Sequence, residues 1–171
     1  MMEHVDPRQL KPPQPSGPDR LRCDWERLSA IAHEVAPLAR RHYAEMVDHL
    51  FDPNWDELFA LERMGVLGVW TARTVDRTLV GYTFCFWRNW LWSREVRYCC
   101  IDACYLAPEW RGDLGYRYVK SIVAAVGRIE PGARVRWETN DMFEPDAHGR
   151  SRLAKLLERF NFRQVGTVMR K

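Results

Sequence analysis

The chain has 171 residues, of which 46% are hydrophobic, and a formal net charge of +3. This length suits one domain with an adequate core, and so large an apolar fraction argues against a disordered chain. No run of about 18 apolar residues occurs, so we predict no membrane-spanning helix. The N-terminus lacks the apolar centre of a signal peptide, and we therefore expect a cytoplasmic protein.

The cysteines indicate a reducing environment. There are five, an odd number without CxxC spacing, and three of them fall in one apolar stretch. Such cysteines are typical of free core thiols rather than of disulfides or a metal site. They are Cys23, Cys85, Cys99, Cys100 and Cys104. The mild positive charge permits an acidic partner but does not require nucleic acid.

Residues 1–20 form a proline-rich arm. Five prolines lie there with almost no apolar residues between them, which predicts an extended and disordered segment. Residues 21–171 contain no internal repeat and are expected to form a single domain.

Three helices are predicted next. Over residues 24–36 apolar side chains recur at helical spacing, and Asp24 is placed to cap the start. Pro37 fits the first turn of a second helix over residues 37–50, because proline has no N–H to donate. A third short helix follows over residues 55–64.

The second helix carries His42, Glu45 and His49 on one face, at spacings of three and four residues. A metal site needs further converging ligands, and none is evident, so we predict no metal. The face is expected to line either solvent or a cleft.

Strands follow the helices. Residues 66–73 and 78–87 are rich in β-branched and aromatic residues and are separated by a polar turn, which predicts a hairpin. Gly81 in the second strand indicates a bulge or a close approach of two chain segments. A second turn at residues 93–95 leads into a central strand over residues 98–107.

Tryptophan and arginine alternate before that second turn, at Trp87, Trp90 and Trp92. Aromatic rings interleaved with arginine can stack on nucleic-acid bases. At the end of a strand, however, such rings more often belong to the core and its rim. Nucleic acid therefore stays open as a partner but is not favoured.

The segment over residues 98–128 carries the most informative pattern in the sequence. An apolar strand stops at Pro108, a turn with Gly112 and Gly115 follows, and apolar residues then recur at helical spacing. A helix that begins in this way leaves backbone N–H groups without partners, and its dipole favours an anion there. The sequence therefore predicts a phosphate seat with Arg111 at its mouth.

The rest of the chain continues the alternation of strands and helices. A short strand over residues 135–139 precedes a polar loop over residues 140–149. A helix then begins at Ser151 and ends at Asn161, before a last strand over residues 162–169. This order predicts an α/β domain with a mixed central sheet flanked by helices.

The glycine turn fits other phosphate loops poorly. It lacks the Gly-Lys-Ser/Thr ending of a P-loop and the three glycines of a dinucleotide fingerprint. It resembles instead the Arg/Gln-x-x-Gly-x-Gly/Ala loop of the GNAT (GCN5-related N-acetyltransferase) family, whose backbone amides hold the coenzyme A pyrophosphate. Leu114 and Tyr116 stand where that family has small residues. The six positions are Arg111, Gly112, Asp113, Leu114, Gly115 and Tyr116.

The resemblance covers about residues 24–171 and implies the GNAT fold. LLERFNF at residues 156–162 is similar to the family's helix end LYEKLGF. Short strings such as FDPNW at residues 51–55 and DACYLAP at residues 102–108 resemble GNAT-fold proteins of tailed bacteriophages. The resemblance therefore also implies a phage-encoded protein, for which the cytoplasm would be that of the host.

The family's chemistry implies acetyl-CoA as a co-substrate and direct attack of an amine on its thioester. The main chain of Cys104, Tyr105 and Leu106 would pair with the pantetheine arm, and the turn at residues 111–116 would hold the pyrophosphate. The amine must be neutral to attack, so a base or a water chain must accept a proton. The acceptor, a protein or a small molecule, is not disclosed, because such sites are built from variable loops.

Asp102 is the first candidate for the base. Strand alternation places it on the same face as Cys100 and Cys104, beside the expected cleft. The alternative is that Asp102 holds the strand through bonds to backbone N–H groups or to an arginine. Glu45 and His42 on the second helix are the next candidates, against a plain solvated face.

The family's usual proton donor to the leaving thiolate is absent. The resemblance implies a tyrosine on the last helix, and this chain has Leu157 there. Tyr105, Tyr116 or Tyr118 would have to substitute, or the thiolate would leave unprotonated, since a thiol pKa is about 8.5.

Two readings from other classes stay open. One is a GNAT-like protein that binds or inhibits a host enzyme, or forms part of the virion, without turnover. The other is a toxin-type acetyltransferase of aminoacyl-tRNA, suggested by the basic composition and the tryptophan-arginine segment. The sequence predicts no membrane partner and leaves a homodimer open.

Overall fold

The computed structural model describes residues 21–46, 51–90, 93–137 and 152–163. These residues form one five-stranded sheet with helices packed against both faces. In chain order the strands and helices are β1 (Arg22–Glu26), α1 (Leu28–Met46), α2 (Trp55–Arg63), β2 (Leu67–Arg73), β3 (Leu79–Trp90), β4 (Ser93–Leu106), α3 (Asp113–Ile129), β5 (Arg134–Trp137) and α4 (Arg152–Glu158).

The strands lie side by side in the order β1-β2-β3-β4-β5. Neighbours from β1 to β4 are antiparallel, and β5 pairs with β4 in parallel. A parallel neighbour requires a crossover connection, and α3 supplies it here. The predicted mixed sheet with an antiparallel front is therefore confirmed.

The first predicted helix is wrong at its start. Arg22–Glu26 form the edge strand β1, in which Trp25 packs edge-on against Trp70 with ring centroids 5.1 Å apart. Glu26 also accepts a hydrogen bond of 2.8 Å from Arg73 of β2. The apolar spacing of this segment is compatible with a helix, but pairing across strands outweighs local periodicity.

Helix α1 is capped by another helix. The backbone N–H groups of Leu28 and Ser29 both donate to the carboxylate of Glu62 in α2. A carboxylate at a helix N-terminus also complements the helix dipole. The predicted cap by Asp24 is therefore wrong, because Asp24 lies in β1.

Pro37 does not start a second helix. Helix α1 continues unbroken from Leu28 to Met46 with Pro37 in its interior. Proline removes one backbone hydrogen bond there, yet Val35 before it and Leu38 after it are both buried in one core. Packing of a shared apolar face against the sheet thus keeps the two halves in one helix.

The sheet separates two cores. The α1-side core contains the buried residues of α1 together with residues of β2, β3 and β4, among them Val35 and Val69. The α3-side core contains the buried residues of α3 and the opposite face of the same strands, among them Ile101, Ile122 and Val126. Strands that face a core on both sides are rich in apolar residues on both faces, as β2, Leu79–Trp87 of β3 and Cys99–Ile101 of β4 are.

The predicted hairpin of β2 and β3 is confirmed, and so is the special role of Gly81. A Cβ atom at Gly81 would lie 2.8 Å from the Leu106 side chain and 2.9 Å from the carbonyl oxygen of Tyr105. The register also shifts beside it, between Ala72 and Arg73. The predicted turn at residues 93–95 is displaced, since β4 already begins at Ser93.

Strand β4 contains a β-bulge at Asp102. Phe84 of β3 pairs with Ala103, whereas the next residue, Cys85, pairs with Ile101. Asp102 is therefore the additional residue of β4. A bulge of this kind bends the strand and changes the face to which the following side chains point.

The later helices follow the sequence pattern. The predicted helix after the glycine turn corresponds to α3, and the C-terminal one to α4. Asn161 has φ +63°, in agreement with the predicted end of that helix at a residue tolerant of the left-handed conformation. All five cysteines are free thiols, as expected.

Several predicted features lie outside the described residues. They are the proline-rich arm, His49, the loop over residues 140–149 and residues 164–169 of the last strand. Within the described ranges, no helix is long and apolar enough to cross a membrane.

Candidate functional site

Helix α3 begins in the glycine turn that follows β4. Its first intrahelical bond joins the N–H of Tyr116 to the carbonyl oxygen of Gly112, and no described side chain caps this end. Gly112 has φ +87°, which side chains rarely permit, and a Cβ atom at Gly112 or Gly115 would meet no atom within 4 Å. An anion can therefore approach the unpaired N–H groups of this 17-residue helix.

The two side chains that depart from the loop pattern differ in their surroundings. Tyr116 stacks on Phe160 beyond the end of α4, with ring centroids 5.0 Å apart. Leu114 is half-buried. Asp113, in the first turn of α3, is the one described carboxylate within the motif, and its charge opposes that of a bound anion.

Arg111 contacts groups on the α1 side of the sheet. Its Nε donates to the carbonyl oxygen of Leu106 at 2.7 Å, and its Nη2 donates to Glu45 at 2.6 Å. The guanidinium also lies over the ring of Tyr105, 5.3 Å from the centroid. Arg111 thus links the end of β4 to α1 while it stands next to Gly112.

Tyr105 and His42 continue this chain of contacts. The Tyr105 hydroxyl donates to Glu45 at 3.0 Å, and the His42 ring stacks on Tyr105 with centroids 4.8 Å apart. The Nδ1 atom of His42 lies 2.9 Å from the Tyr82 hydroxyl. We call Arg111, Glu45, Tyr105, His42 and Tyr82 the polar network; four of these five residues are predicted site residues.

Burial sets the protonation states in the polar network. Loss of solvent, together with the nearby Arg111 guanidinium, lowers the pKa of His42 to about 4, although Glu45 acts in the opposite direction. Loss of solvent and the Glu45 carboxylate raise the pKa of Tyr105 to about 12. At neutral pH the imidazole is therefore uncharged and the Tyr105 phenol keeps its proton.

A cleft of about 370 Å³ opens on the α1 side of the sheet, between α1, the start of α2, β3 and β4. Two carboxylates, Asp52 and Asp102, and the imidazole of His42 lie along it. Its aromatic lining residues are Tyr43, Phe51, Trp55, Tyr82, Phe84 and Phe86. Because His42 and Tyr82 belong to both, the cleft adjoins the polar network.

The structure corrects the predicted neighbours of Asp102. Asp102 is exposed and lines the cleft, and Cys100 pairs with the cleft residue Phe86. Cys104, in contrast, packs against the α3-side core. The expectation of a face shared with Cys104 is therefore wrong, because the bulge adds one residue and reverses the alternation beyond it.

Cys104 has the properties of a core thiol. Burial raises its pKa to about 11, even though Thr83 donates a hydrogen bond to its Sγ. A protonated thiol is a weak nucleophile, so the side chain is unsuited to accept an acyl group. Its main chain lies beyond the described pairing of β4 with β5, which covers Tyr98–Ile101.

Neither Tyr118 nor Tyr116 is well placed to donate a proton to the leaving thiolate. Tyr118 is 2% exposed, and its hydroxyl donates to the carbonyl oxygen of Trp70 and contacts Thr83 Oγ1 at 2.9 Å. It cannot reach a ligand without disrupting the α3-side core. Tyr116 is exposed, but its ring is stacked on Phe160, which follows α4. Leu157, at the position of the family's tyrosine, is buried.

The tryptophan-arginine segment does not present a stacking platform at Trp87. This ring is 8% exposed and belongs to the α3-side core, with the Arg97 guanidinium 5.7 Å from its centroid. The side chain of Trp90 and the whole of Trp92 lie outside the described residues. The interpretation of Trp87 as core and rim is therefore confirmed.

Sequence reasoning missed the role of Tyr82 and of the aromatic cleft wall. Tyr82, Phe84 and Phe86 occupy alternate positions of β3 and share one face of the strand. That period-two run of aromatic residues is visible in the sequence and is the signal that could have found them. Nothing in the sequence indicated that Phe51 and Trp55 would complete the cleft from before and within α2.

Comparison with known proteins supports the fold. No protein-family model matches the chain, and no curated protein matches it in sequence. A ribosomal-protein-alanine N-acetyltransferase from Brucella melitensis biovar Abortus 2308 matches in structure with a TM-score of 0.62 at 18% identity, over 89% of this chain and 99% of that chain.

Two further solved structures are similar. A predicted acetyltransferase from Clostridium acetobutylicum with acetyl-CoA has a TM-score of 0.65 at 11% identity, over 89% of this chain and 96% of that chain. An aminoglycoside acetyltransferase from an uncultured soil metagenomic sample, in complex with sisomicin, has a TM-score of 0.63 at 14% identity, over 88% and 95%. At these identities the likeness establishes the fold, and the GNAT fold expected from the glycine turn is confirmed.

Proposed function

We propose that this chain is an acetyl-CoA-dependent N-acetyltransferase that transfers an acetyl group to an amine by direct attack. The observation that supports this most is the uncapped, open N-terminus of α3, which follows β4 directly in a fold shared with acetyltransferases. One of those proteins was solved with acetyl-CoA. The aromatic cleft beside Asp102 supplies a separate space for the acceptor.

The turn at residues 111–116 is suited to the diphosphate of the coenzyme. The backbone N–H groups from Gly112 to Gly115 precede the first intrahelical bond of α3, and the space beside Gly112 and Gly115 is open to an approaching phosphate. The main chain of Cys104, Tyr105 and Leu106 would bond to the pantetheine arm as one strand bonds to another. In this structure Arg111 donates a hydrogen bond to the Leu106 carbonyl oxygen. If Arg111 turned toward the phosphates, this oxygen would be free to accept a bond from the pantetheine arm.

The transfer requires a neutral amine. Its nitrogen attacks the thioester carbonyl carbon, the carbon–sulfur bond breaks, sulfur leaves as a thiolate with the bonding electrons, and the nitrogen loses one proton. Asp102 is the proposed proton acceptor, because its carboxylate is exposed along the cleft and continuous with water. His42, uncharged at neutral pH, is the second candidate. Glu45 ranks third, since Arg111 and Tyr105 already engage its carboxylate.

The leaving thiolate needs no dedicated acid. A free thiol has a pKa of about 8.5, so the thiolate is a stable leaving group at neutral pH. Tyr105 holds its proton more tightly than a thiol does, which makes it a hydrogen-bond donor rather than an acid in this step. Its role in the proposal is to orient Glu45 and, through stacking, His42.

Calorimetric titration with acetyl-CoA tests donor binding directly. We expect saturable binding to the wild-type chain and none to Arg111→Glu, because that change sets a carboxylate beside the diphosphate. Arg22→Glu, which makes the same change of charge at an exposed position of β1, serves as the control and should bind normally. Absence of wild-type binding at millimolar acetyl-CoA would refute the transferase.

Asp102→Asn tests proton transfer. We expect kcat to fall by about 10²-fold or more, the usual contribution of a general base, with the acetyl-CoA Kd unchanged. The activity is measured by intact-mass spectrometry of candidate amines and proteins after incubation with acetyl-CoA. Full activity of Asp102→Asn would remove this residue from the chemistry and leave His42 as the base to test.

A second candidate function is a GNAT-fold binding or inhibitor protein without turnover, such as a host-defence antagonist or a virion protein. The contact that favours it is the 2.6 Å pair between Arg111 and Glu45, which withholds the arginine from a phosphate. The altered positions Leu114 and Tyr116 point the same way. The titration above distinguishes the two, since an inhibitor of this kind needs no acetyl-CoA.

Two finer parts of the proposal concern origin and target. The short strings shared with bacteriophage proteins favour a phage-encoded enzyme that acts on a host or phage target in the host cytoplasm. A gene flanked by phage structural genes would support this origin, and a conserved place on a bacterial chromosome would argue against it. Acetylation of aminoacyl-tRNA remains testable with labelled acetyl-CoA, and unlabelled product on all charged tRNAs would dismiss it.

A further inference from the structure

The ion pair between Arg111 and Glu45 joins the glycine turn to α1. The Glu45 carboxylate accepts a 2.6 Å bond from Nη2 of Arg111 and a 3.0 Å bond from the Tyr105 hydroxyl. The Tyr105 ring also contacts both Arg111 and His42, with its centroid 5.3 Å from the guanidinium and 4.8 Å from the imidazole centroid. A change in the partner of Arg111 therefore reaches His42 through groups that are in direct contact.

This pair can be exchanged for another anion. Its two side chains are 43% and 26% exposed, and an ion pair this close to solvent contributes about fivefold or less to an equilibrium. Arg111 directly precedes Gly112, at which the open end of α3 begins, so an anion held there lies beside this residue. A diphosphate has more charge and more acceptor oxygens than one carboxylate, and it engages a guanidinium through paired hydrogen bonds. The diphosphate is therefore the stronger partner of the two.

His42 has charged groups of both signs and neutral phenols around it. Burial lowers its pKa to about 4 from an ordinary 6.5; Glu45 opposes this decrease, and Arg111 adds to it. The phenols of Tyr82 and Tyr105 stay protonated and neutral, because burial raises the pKa of both. The other charged groups of the surrounding elements are two carboxylates along the cleft, Asp52 and Asp102, and the pair of Arg41 with Glu109.

Movement of Arg111 from Glu45 to a diphosphate changes this balance in one direction. The positive charge that opposes protonation of His42 would be neutralised by the phosphates, while Glu45 would keep its negative charge nearby. Both changes favour the imidazolium, so the pKa of His42 would rise from about 4 toward 6.5. The Tyr82 hydroxyl, 2.9 Å from Nδ1 of His42, suits either form, since a phenol oxygen donates to a neutral ring nitrogen or accepts from a protonated one.

We infer that Arg111 exchanges its Glu45 partner for the diphosphate of the donor, and that this exchange makes His42 an effective proton acceptor for the amine. The inference rests on the proposed function. The amine nitrogen bonds to the thioester carbon, sulfur leaves with the electron pair of the broken carbon–sulfur bond, and the imidazole nitrogen binds the released proton. Glu45 is then a positioning residue, which acts through His42 and not on the substrate.

The exchange ties basicity to the presence of the donor. A general base is most effective when its pKa lies near the working pH, and a histidine with a pKa of about 4 is far from that condition. His42 gains basicity when a diphosphate draws Arg111 away from Glu45. The same movement frees the Leu106 carbonyl oxygen, to which Arg111 also donates, for the pantetheine arm.

Titration of His42 in the full chain, with and without dephospho-coenzyme A, tests the inference. This probe keeps the diphosphate and the pantetheine arm but lacks the phosphomonoester, whose own titration near pH 6 would overlap with that of histidine. The imidazole C–H resonances of His42, identified by their loss in His42→Gln, are followed by NMR from about pH 5 to about pH 8. We expect His42 to stay neutral throughout this range without the probe and to titrate within it at saturating probe.

Arg111→Gln separates the exchange from the plain electrostatic field of the ligand. Without the probe, His42 of this variant should already begin to titrate at the acid end of the range, because the opposing charge is gone. Saturating probe should then raise the midpoint by less than it does in the wild type. Arg97→Gln is the matched control and should behave like the wild type, since the Arg97 side chain is likewise 43% exposed and bonds to Glu130 at 2.7 Å.

Glu45→Gln tests the other partner. It removes the carboxylate that the exchange leaves uncompensated, so His42 with saturating probe should titrate at a lower pH than in the wild type. The probe should bind this variant at least as tightly, because nothing then competes for Arg111. A loss of folded structure would be visible in the same NMR spectra as a loss of resonance dispersion.

The outcomes separate the inference from the proposed function. Equal midpoint changes on probe binding in the wild type and in Arg111→Gln would overturn the exchange and leave donor binding intact. A His42 that stays neutral in a wild-type chain saturated with the probe would do the same. Failure of the probe to bind the wild type would instead refute the transferase, and the exchange with it.

Discussion

The two faces of β4 differ in kind although they belong to the same strand. On the α3 side, Ile101 packs with Ile122 and Val126, and all three side chains are fully buried. On the α1 side, Tyr105 of the same strand bonds to Glu45, and the surface opens into the cleft. One face is buried and mostly apolar, whereas the other carries aromatic rings and charged groups and opens to solvent.

The difference teaches how one strand can hold the fold together and carry a site. Alternation supplies both faces, but the site needs a departure from it, namely the bulge at Asp102. On the α1 side Tyr105 and Tyr82 are as buried as the α3-side core, but the Arg111 and Glu45 side chains stay 43% and 26% exposed, so the loss of a hydrogen bond to either of these two is partly compensated by water. The α3 side has no such compensation, and changes there should act mainly on stability.

The largest expected effect is in the α3-side core. Ile122→Ala should lower the free energy of unfolding by about 2–5 kcal/mol, because it removes buried methyl groups and leaves a cavity. Ile129→Ala in the same helix, where the side chain is 51% exposed, should cost far less. Urea denaturation of the two variants compares them, and equal losses would contradict the assignment of this face as the tight core.

The next effect concerns the α1 side and pH. With a pKa of about 4 when folded, against an ordinary 6.5, His42 binds a proton more readily in the unfolded chain. Its contribution, on the order of 3 kcal/mol, is fully present above pH 6.5 and is lost as the pH falls toward 4. His42→Gln should flatten this part of the stability profile.

Thermal unfolding between pH 4 and 7 measures the profile. His33→Gln, at an exposed position of the same helix, is the matched control and should keep the wild-type slope. If His42→Gln and His33→Gln behave alike, the imidazole of His42 is not the buried neutral group described above.

A pair of tyrosines sharpens the comparison directly. Tyr118→Phe removes the hydroxyl that serves Trp70 and Thr83 within the dry core, at a cost of about 1–3 kcal/mol. Tyr105→Phe removes a donor to Glu45, whose side chain is 26% exposed and keeps Arg111, so the cost should be about 1 kcal/mol or less. Guanidinium unfolding of both variants measures the two losses of unfolding free energy. A larger loss in Tyr105→Phe than in Tyr118→Phe would contradict the contrast between the faces.

The smallest effect tests whether Glu45 restrains Arg111. Glu45→Gln should tighten acetyl-CoA binding by a few-fold, because the guanidinium is then free to turn to the diphosphate, and stability should change little. Glu130→Gln, which breaks the surface pair with Arg97 at the other end of α3, is the control and should leave the affinity unchanged. Weaker binding by Glu45→Gln would indicate that the pair holds the turn in a binding-competent shape.

Much of the fold follows from local patterns. The hairpin of β2 and β3, the glycine turn before α3 and the end of the last helix at Asn161 each depend on a few adjacent residues. Turn chemistry and helical periodicity report such features directly. The predicted site residues Arg111, Glu45, His42 and Tyr105 do meet in one network, but their roles in binding and catalysis stay predictions.

The failures share one cause, which is that contacts between distant segments overrode local preference. Trp25 has helical spacing to its neighbours but pairs with Trp70 across two strands. Pro37 interrupts the local pattern, but the common buried face keeps α1 continuous. Cys104 changed sides because register with β3 introduced a bulge that no period-two pattern announces.

The sequence by itself determined the order of most elements, the position of the glycine turn and the chemical types available for a site, because these depend on neighbours along the chain. Only the tertiary structure decided that Arg111 pairs with Glu45, that Asp102 faces an aromatic cleft and that Cys104 does not. Each of these depends on where residues distant in sequence come to lie, and such positions are set by packing of the whole domain rather than by any local preference.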